Sequence, residues 1–223
     1  MELIEYVESD IMMVDVANRI AGELEQALFH EDSITLAVPG GTTPGPIFDS
    51  LCAADLPWDR VNVVLTDERW VPEESDRSNT RLLRERLFTG RASAATLLPL
   101  YQQADAPEEK LNALAEGIAP HLPLSVCLLG MGDDMHTASI FPEADRLNDA
   151  LFGDGILYPM RAPGALEPRI TLSAKVLHGA LSCHVVIIGE KKRAALEKAI
   201  SLPPEEAPIA AVLADAVVHW AEV

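Results

Sequence analysis

The sequence predicts an α/β protein with a mostly parallel sheet and helices on both faces. Short apolar runs rich in β-branched residues alternate with segments whose apolar residues recur at helical spacing. Several of these runs are apolar at nearly every position, which is typical of strands covered on both faces. The chain has 223 residues and contains no internal repeat or low-complexity segment, so we expect one domain over residues 1–223.

The first half of the chain contains three apolar runs that we interpret as strands, at residues 3–7, 34–38 and 61–65. A helix is expected after each of them. The first begins at a cap on Asp10 and extends to Leu28, the second covers residues 47–51, and the third is capped by Ser78 or Asn79.

The second half continues the alternation. Strands are expected at residues 124–129, 169–172 and 183–188. Helices are expected at residues 107–118, 175–180 and 191–200, with a further short helix at residues 137–140. The Pro-rich stretch at residues 202–208 is interpreted as a surface loop, because only about fifteen residues follow it.

Charge and cysteine content limit the classes of function. The formal charge is 17 − 35 = −18, which disfavours binding to nucleic acid or to an anionic membrane. An acidic protein that binds a small phosphate must cluster its few cations locally. The three cysteines have no zinc spacing and are interpreted as reduced thiols, and no signal peptide or membrane-spanning run is apparent. We therefore expect a cytoplasmic protein that binds neither nucleic acid nor membrane.

A Gly-Thr-rich turn follows the second strand, where an open parallel sheet usually binds its ligand. Gly40 and Gly41 allow the backbone to approach a ligand, and Pro44 suits the first turn of a helix. The free N–H groups, with the hydroxyl groups of Thr42 and Thr43, favour an anion. A plain strand-to-helix turn remains an equally good interpretation of this segment alone.

Charged residues follow other strands at the same edge of the sheet. The segment Asp67-Glu68-Arg69 places three charges directly after a strand, and Arg69 can bind a phosphate through two hydrogen bonds while an acidic neighbour holds it in place. A surface turn with a local ion pair is the alternative. Arg169 and Lys192 also lie at element ends and are candidates for phosphate binding, or else simply solvated charges.

The most informative segment is the Gly-rich loop after the strand at residues 124–129. Asp134 and His136 stand two residues apart in this loop, at the start of the expected short helix. A carboxylate that orients an imidazole and stabilises its charged form produces a general base near neutral pH. The other five histidines lack such a setting and are interpreted as surface or packing residues.

The chain resembles the 6-phosphogluconolactonase family, within the glucosamine-6-phosphate isomerase/6-phosphogluconolactonase superfamily. The matching segments extend from about residue 36 to residue 196, and they are residues 38–44, 66–72, 78–79, 129–132, 136–142, 169–172 and 189–192. The resemblance implies a Rossmann-like sugar-phosphate isomerase/deaminase fold, hydrolysis of 6-phosphoglucono-δ-lactone in the oxidative pentose phosphate pathway, and no metal or organic cofactor.

The resemblance also implies roles for the candidate residues. His136 would be the general base, Asp134 and Asp67 would orient it, and the remaining candidates would bind the phosphate: Gly40, Gly41, Thr42, Thr43, Arg69, Arg169 and Lys192. One position departs from the pattern, because Met135 replaces the usual glycine before the histidine. If this position requires a positive φ, the side chain costs about 1 kcal/mol or more.

Two other functions are compatible with the same fold. An amino-sugar-phosphate deaminase or isomerase would carry Asn-Glu-Pro after the histidine, whereas this chain has Thr-Ala-Ser-Ile-Phe-Pro and no acid before Glu143. A non-catalytic sugar-phosphate sensor would need a DNA-binding partner domain, and no basic helix-turn-helix precedes the first strand. The expected assembly is a monomer or a small homo-oligomer, and the sequence does not decide between them.

Overall fold

Ten strands form the two sheets of the computed structural model, which describes residues 1–223. In chain order they are β1 (Glu2–Tyr6), β2 (Ile34–Val38), β3 (Val61–Leu65), β4 (Asp67–Arg69), β5 (Thr96–Leu98), β6 (Val126–Gly130), β7 (Leu157–Met160), β8 (Arg169–Leu172), β9 (Ser182–Ile188) and β10 (Val217–Ala221). The larger sheet has the order β1-β10-β9-β6-β2-β3-β5, and every neighbouring pair is parallel.

Eight α-helices connect and cover these strands. They are α1 (Ser9–Leu28), α2 (Gly45–Leu51), α3 (Asn79–Arg86), α4 (Leu111–Ile118), α5 (Leu147–Phe152), α6 (Ala174–His178), α7 (Glu190–Ala199) and α8 (Ala210–Leu213). All five positions of β2 and of β3 are buried, so both faces of the sheet are covered there. The predicted α/β class with a mostly parallel sheet is confirmed. None of the helices combines the length and apolar content that crossing a bilayer requires.

A second, antiparallel sheet of three strands has the order β4-β8-β7. The chain passes from one sheet to the other at Thr66, whose N–H donates to Val38 and whose carbonyl accepts from Leu172. The pairing of β4 with β8 places Arg69 directly opposite Arg169. Two candidate cations that are 100 residues apart in the sequence are thereby brought side by side.

Some sequence-based predictions of local structure are wrong. Helix α1 begins at Ser9, one residue before Asp10, and its N-cap Glu8 makes no side-chain capping bond. Residues 137–140 form a tight turn instead of a helix, closed by a bridge between Thr137 and Ile140, because Ala138 has a φ of +50°. By contrast, the sequence predicts a cap at Ser78 or Asn79, and the structure has it at Ser78, whose side chain accepts a hydrogen bond from the Arg81 N–H.

The core contains two histidines that belong to one hydrogen-bonded chain. His219 Nε2 lies 3.0 Å from His184 Nδ1, and His219 Nδ1 lies 2.9 Å from the Tyr6 hydroxyl. The ends of this chain are carboxylates, because Tyr6 donates to Asp15 and His184 Nε2 lies 2.9 Å from Glu23. Both histidines are buried, which agrees with their interpretation as packing residues.

Candidate active site

A cavity of about 240 Å³ opens at the carboxyl ends of β2, β6 and β9. The carboxyl ends of parallel strands all lie at the same edge of the sheet, so the segments that follow them converge there although they are distant in sequence. The residues that line the cavity are Pro39, Gly40, Gly41, Thr43, Pro44, Asp67, Arg69, Asn79, Leu128, Leu129, Gly130, Met131, Gly132, His136, Ala138, Arg169, Val186 and Lys192. This edge is the one at which the sequence predicts ligand binding.

The Gly-Thr turn forms one wall of the cavity. Gly40, Gly41 and Thr43 line it, whereas Thr42 does not. The backbone N–H groups of Gly40 to Thr43 donate to no acceptor within the protein, so they are available to an anion. A Cβ atom on Gly40 would lie 2.0 Å from Asn79 Cγ, so the turn can pack against Asn79 only because residue 40 is a glycine.

Three cations line the cavity of this acidic protein. Arg69 and Arg169 face each other across the β4–β8 pair, and the Nε atom of each is buried without a hydrogen-bond partner. Arg169 has one carboxylate nearby, since its Nη1 lies 3.7 Å from Asp67. Burial lowers the pKa of Arg169, and the charge of Asp67 opposes this shift. Lys192 has no carboxylate within 4.0 Å, so its charge is free to act on a ligand.

His136 is held by the carboxylate of Asp134. The distance from His136 Nδ1 to Asp134 Oδ1 is 2.5 Å, and the same oxygen also accepts the His136 backbone N–H at 3.2 Å. The hydrogen bond with His136 holds the pKa of Asp134 below its usual value. A Cβ atom on Gly132 would lie 2.2 Å from His136 Nδ1, so the pair needs a glycine there. The His136 Nε2 atom makes no hydrogen bond within the protein and is available to a ligand.

Met135 has a φ of +65°, which is the positive-φ conformation that a side chain makes costly. Its N–H donates to Gly132, and its carbonyl accepts from Ile209, both at 3.0 Å. The Met135 side chain is buried in the core, with 9% of its surface exposed. The loop therefore keeps a glycine-like conformation although the residue is a methionine.

Asp67 lines the cavity but makes no hydrogen bond to His136. Its Oδ2 atom accepts the Ser139 hydroxyl at 2.5 Å and lies near Arg169, and Oδ1 lies 3.4 Å from the Thr66 hydroxyl. These contacts hold the turn that follows His136 against β4. Any effect of Asp67 on His136 must therefore pass through this turn or through the ligand.

The candidate residues from the sequence converge on the cavity, with two exceptions. Thr42 lies outside its lining, and Asp134 reaches it only through His136. Sequence reasoning did not assign site positions to Asn79 and Ser139, whose contacts depend on chain segments far away in sequence. No group of three or more His, Cys, Asp or Glu side chains is arranged to hold a metal ion.

The neighbour of Asp67 in the sequence is fully buried and has a different role. The Glu68 carboxylate accepts the backbone N–H groups of Arg69, Asn79 and Thr80 and the hydroxyl groups of Ser78 and Thr80. Burial raises the pKa of Glu68, and these hydrogen bonds oppose the shift. Glu68 thereby fixes the start of α3 next to the cavity, which in turn places Asn79 against Gly40.

Comparison with known proteins gives consistent matches. The family model described as glucosamine-6-phosphate isomerases/6-phosphogluconolactonase matches residues 8–220. A 6-phosphogluconolactonase of Mesorhizobium japonicum is 41% identical, covering 91% of this chain and 86% of its own. One of Pseudomonas aeruginosa is 38% identical, covering 92% and 88%. The crystal structure of a 6-phosphogluconolactonase from Shewanella baltica superposes with a TM-score of 0.96 at 31% identity, covering 99% of this chain and 97% of its own.

Proposed function

The chain belongs to the family of glucosamine-6-phosphate isomerases and 6-phosphogluconolactonases, and we infer that it hydrolyses 6-phospho-D-glucono-1,5-lactone to 6-phospho-D-gluconate. The observation that carries this inference is the His136–Asp134 pair at one side of a cavity that also contains Arg69, Arg169 and Lys192. A base and a phosphate-binding region within one small cavity are what hydrolysis of a phosphorylated lactone needs.

The proposed binding mode places the phosphate against the turn at residues 40–43. The free backbone N–H groups there donate to phosphate oxygens, and the partly buried guanidinium groups of Arg69 and Arg169 supply positive charge and further N–H donors at the cavity wall. Lys192 adds a third positive charge. Holding the phosphate at this end of the cavity directs the lactone ring towards His136.

The proposed chemistry uses His136 first as a base and then as an acid. Neutral His136 accepts a proton from water through Nε2 while the water oxygen attacks the lactone carbonyl carbon. The negative charge that develops on the carbonyl oxygen is stabilised by backbone N–H groups and by the nearby cations. The imidazolium then gives its proton to the ring oxygen as the C–O bond breaks, and Asp134 stabilises the charged ring throughout.

The main alternative, an amino-sugar-phosphate deaminase, fits the cavity less well. That reaction needs a second acid near the histidine to assist ring opening. Asp67 is the carboxylate that lines the cavity, and it is already held by Ser139 and Arg169. Glu143, the first acid after His136 in the sequence, is absent from the lining.

The cytoplasmic location remains part of the proposal, supported by three cysteines that are free thiols. The proposed partner is a small sugar-phosphate lactone. A partnership with nucleic acid is disfavoured by the charge of −18.

The test is a pH-controlled assay on freshly generated 6-phosphogluconolactone, because this lactone also hydrolyses without a catalyst. The proposal predicts a rate that rises in proportion to protein concentration above the uncatalysed rate. It also predicts no release of ammonia from glucosamine 6-phosphate. The reverse pattern, ammonia release without lactone hydrolysis, would reject the proposal in favour of the deaminase.

A further inference from the structure

We propose that Phe141 is a positioning residue that fixes the general base and the phosphate-binding arginine relative to each other. The proposal rests on the lactone hydrolysis inferred above. Phe141 lies five residues after His136, at the end of the tight turn that also carries Ser139. Its ring contacts both His136 and Arg169, which act on opposite ends of the proposed substrate.

The contact with His136 is close. The centroids of the two rings are 4.2 Å apart, and their planes are inclined by 35°. Asp134 holds only the Nδ1 edge of the imidazole, so a single hydrogen bond leaves the ring free to tilt about it. Packing against Phe141 removes this freedom and fixes the direction of Nε2 towards the cavity.

The contact with Arg169 replaces the hydrogen bonds that this side chain lacks. The guanidinium carbon lies 5.2 Å from the centroid of the Phe141 ring, a distance at which a cation is attracted to an aromatic face. Arg169 Nε has no partner, and the nearest carboxylate is 3.7 Å away. The aromatic face can hold the guanidinium in place without occupying the N–H groups that would bind the phosphate.

The turn between His136 and Phe141 is held in place by two hydrogen bonds. Ser139 donates its hydroxyl to Asp67 and its backbone N–H to the Thr171 hydroxyl, so the turn is tied to both β4 and β8. Phe141 is therefore anchored to β8, the strand that carries Arg169, and to β4, the strand that carries Arg69. A shift in the phosphate-binding region is transmitted through one ring to the base.

The test compares Phe141→Leu, which removes the ring and keeps an apolar side chain, with Phe141→Tyr, which keeps the ring. Phe152→Leu is the matched control, because Phe152 is exposed and lies outside the cavity. Lactone hydrolysis gives kcat and KM, and calorimetric titration with 6-phosphogluconate gives the Kd and the number of binding sites. The expected result for Phe141→Leu is a kcat lower by roughly 10- to 100-fold. Its KM and Kd should be higher by roughly 3- to 10-fold.

The number of binding sites separates a positioning role from a purely structural one. The proposal predicts about one site per chain in Phe141→Leu with a weaker Kd, and recovery of most activity in Phe141→Tyr. Fewer sites with an unchanged Kd would mean that part of the protein is unfolded, and this result would overturn the proposal. So would kinetics of Phe141→Leu that equal those of Phe152→Leu. A wild-type protein that binds 6-phosphogluconate without hydrolysing the lactone would instead reject the proposed function.

Discussion

Replacing Met135 with glycine tests whether this residue is tolerated because its side chain packs well or whether it damages the site. Met135 has a φ of +65°, which glycine adopts without strain. Its backbone hydrogen bonds to Gly132 and Ile209 do not depend on the side chain. The loop geometry around His136 should therefore survive the substitution.

The stability change follows from three contributions. Relief of the left-handed strain stabilises the protein by roughly 1–2 kcal/mol. The greater freedom of glycine in the unfolded chain offsets about 0.5–1 kcal/mol of this gain. Loss of the buried Met135 side chain, which is 9% exposed, destabilises by roughly 2–5 kcal/mol. We expect Met135→Gly to be less stable by about 2–3 kcal/mol, and a chain of this length then melts about 4–12 °C lower.

Ala138→Gly is the matched control, because Ala138 has a φ of +50° but only a methyl group to lose. The difference between the two variants isolates the remainder of the methionine side chain, about 2 kcal/mol. Urea unfolding measures the free energy of unfolding of both variants. The lactone assay should show a kcat for Met135→Gly within roughly 3-fold of wild type, because the backbone of the loop places His136. A more stable Met135→Gly protein, or a large gain in kcat, would refute this reasoning.

Three further predictions concern the site and the core. Asp134→Asn should lower kcat by roughly 100-fold with little change in KM, because Asp134 touches the base but not the cavity. Lys192→Ala should raise KM by roughly 10-fold or more, whereas Lys191→Ala should not, because Lys191 is paired with Asp133 at the surface. Burial lowers the pKa of His219 from 6.5 to about 4, so its neutral form stabilises the fold fully above pH 6.5. This contribution, on the order of 3 kcal/mol, is lost as the pH falls from 6.5 through about 4. Urea unfolding should therefore show that the free energy of unfolding of His219→Gln decreases less over this pH range than that of the wild type.

The strands at the centre of the sheet could be predicted from sequence because burial on both faces leaves a direct mark. β2 and β3 are nearly continuous apolar runs, and their observed bounds are the predicted ones. The edge strand β5, by contrast, has three residues and is partly exposed, so it leaves little pattern. β4 consists of three charged residues and exists because β8 pairs with it, which no local pattern predicts.

In the candidate site, contacts between residues close in sequence could be predicted, whereas contacts between distant residues could not. Asp134 and His136 are two residues apart, so their contact was predictable from spacing alone. The contact of Ser139 with Asp67 joins residues 72 apart in sequence, and the role of Phe141 depends on Arg169 in strand β8. Such contacts follow from tertiary packing and could not be derived before the fold was known. The same holds for the turn at Ala138, whose positive φ is unusual for alanine.

His136→Ala tests the central claim most directly, with His30→Ala as the matched control, because His30 is exposed and is not among the residues that line the cavity. Both variants are assayed for hydrolysis of freshly generated 6-phosphogluconolactone and for calorimetric binding of 6-phosphogluconate. We expect His136→Ala to lose roughly 10²–10⁴-fold in kcat while its Kd stays within about 3-fold of wild type. Near-normal turnover in His136→Ala would contradict the assignment of His136 as the general base.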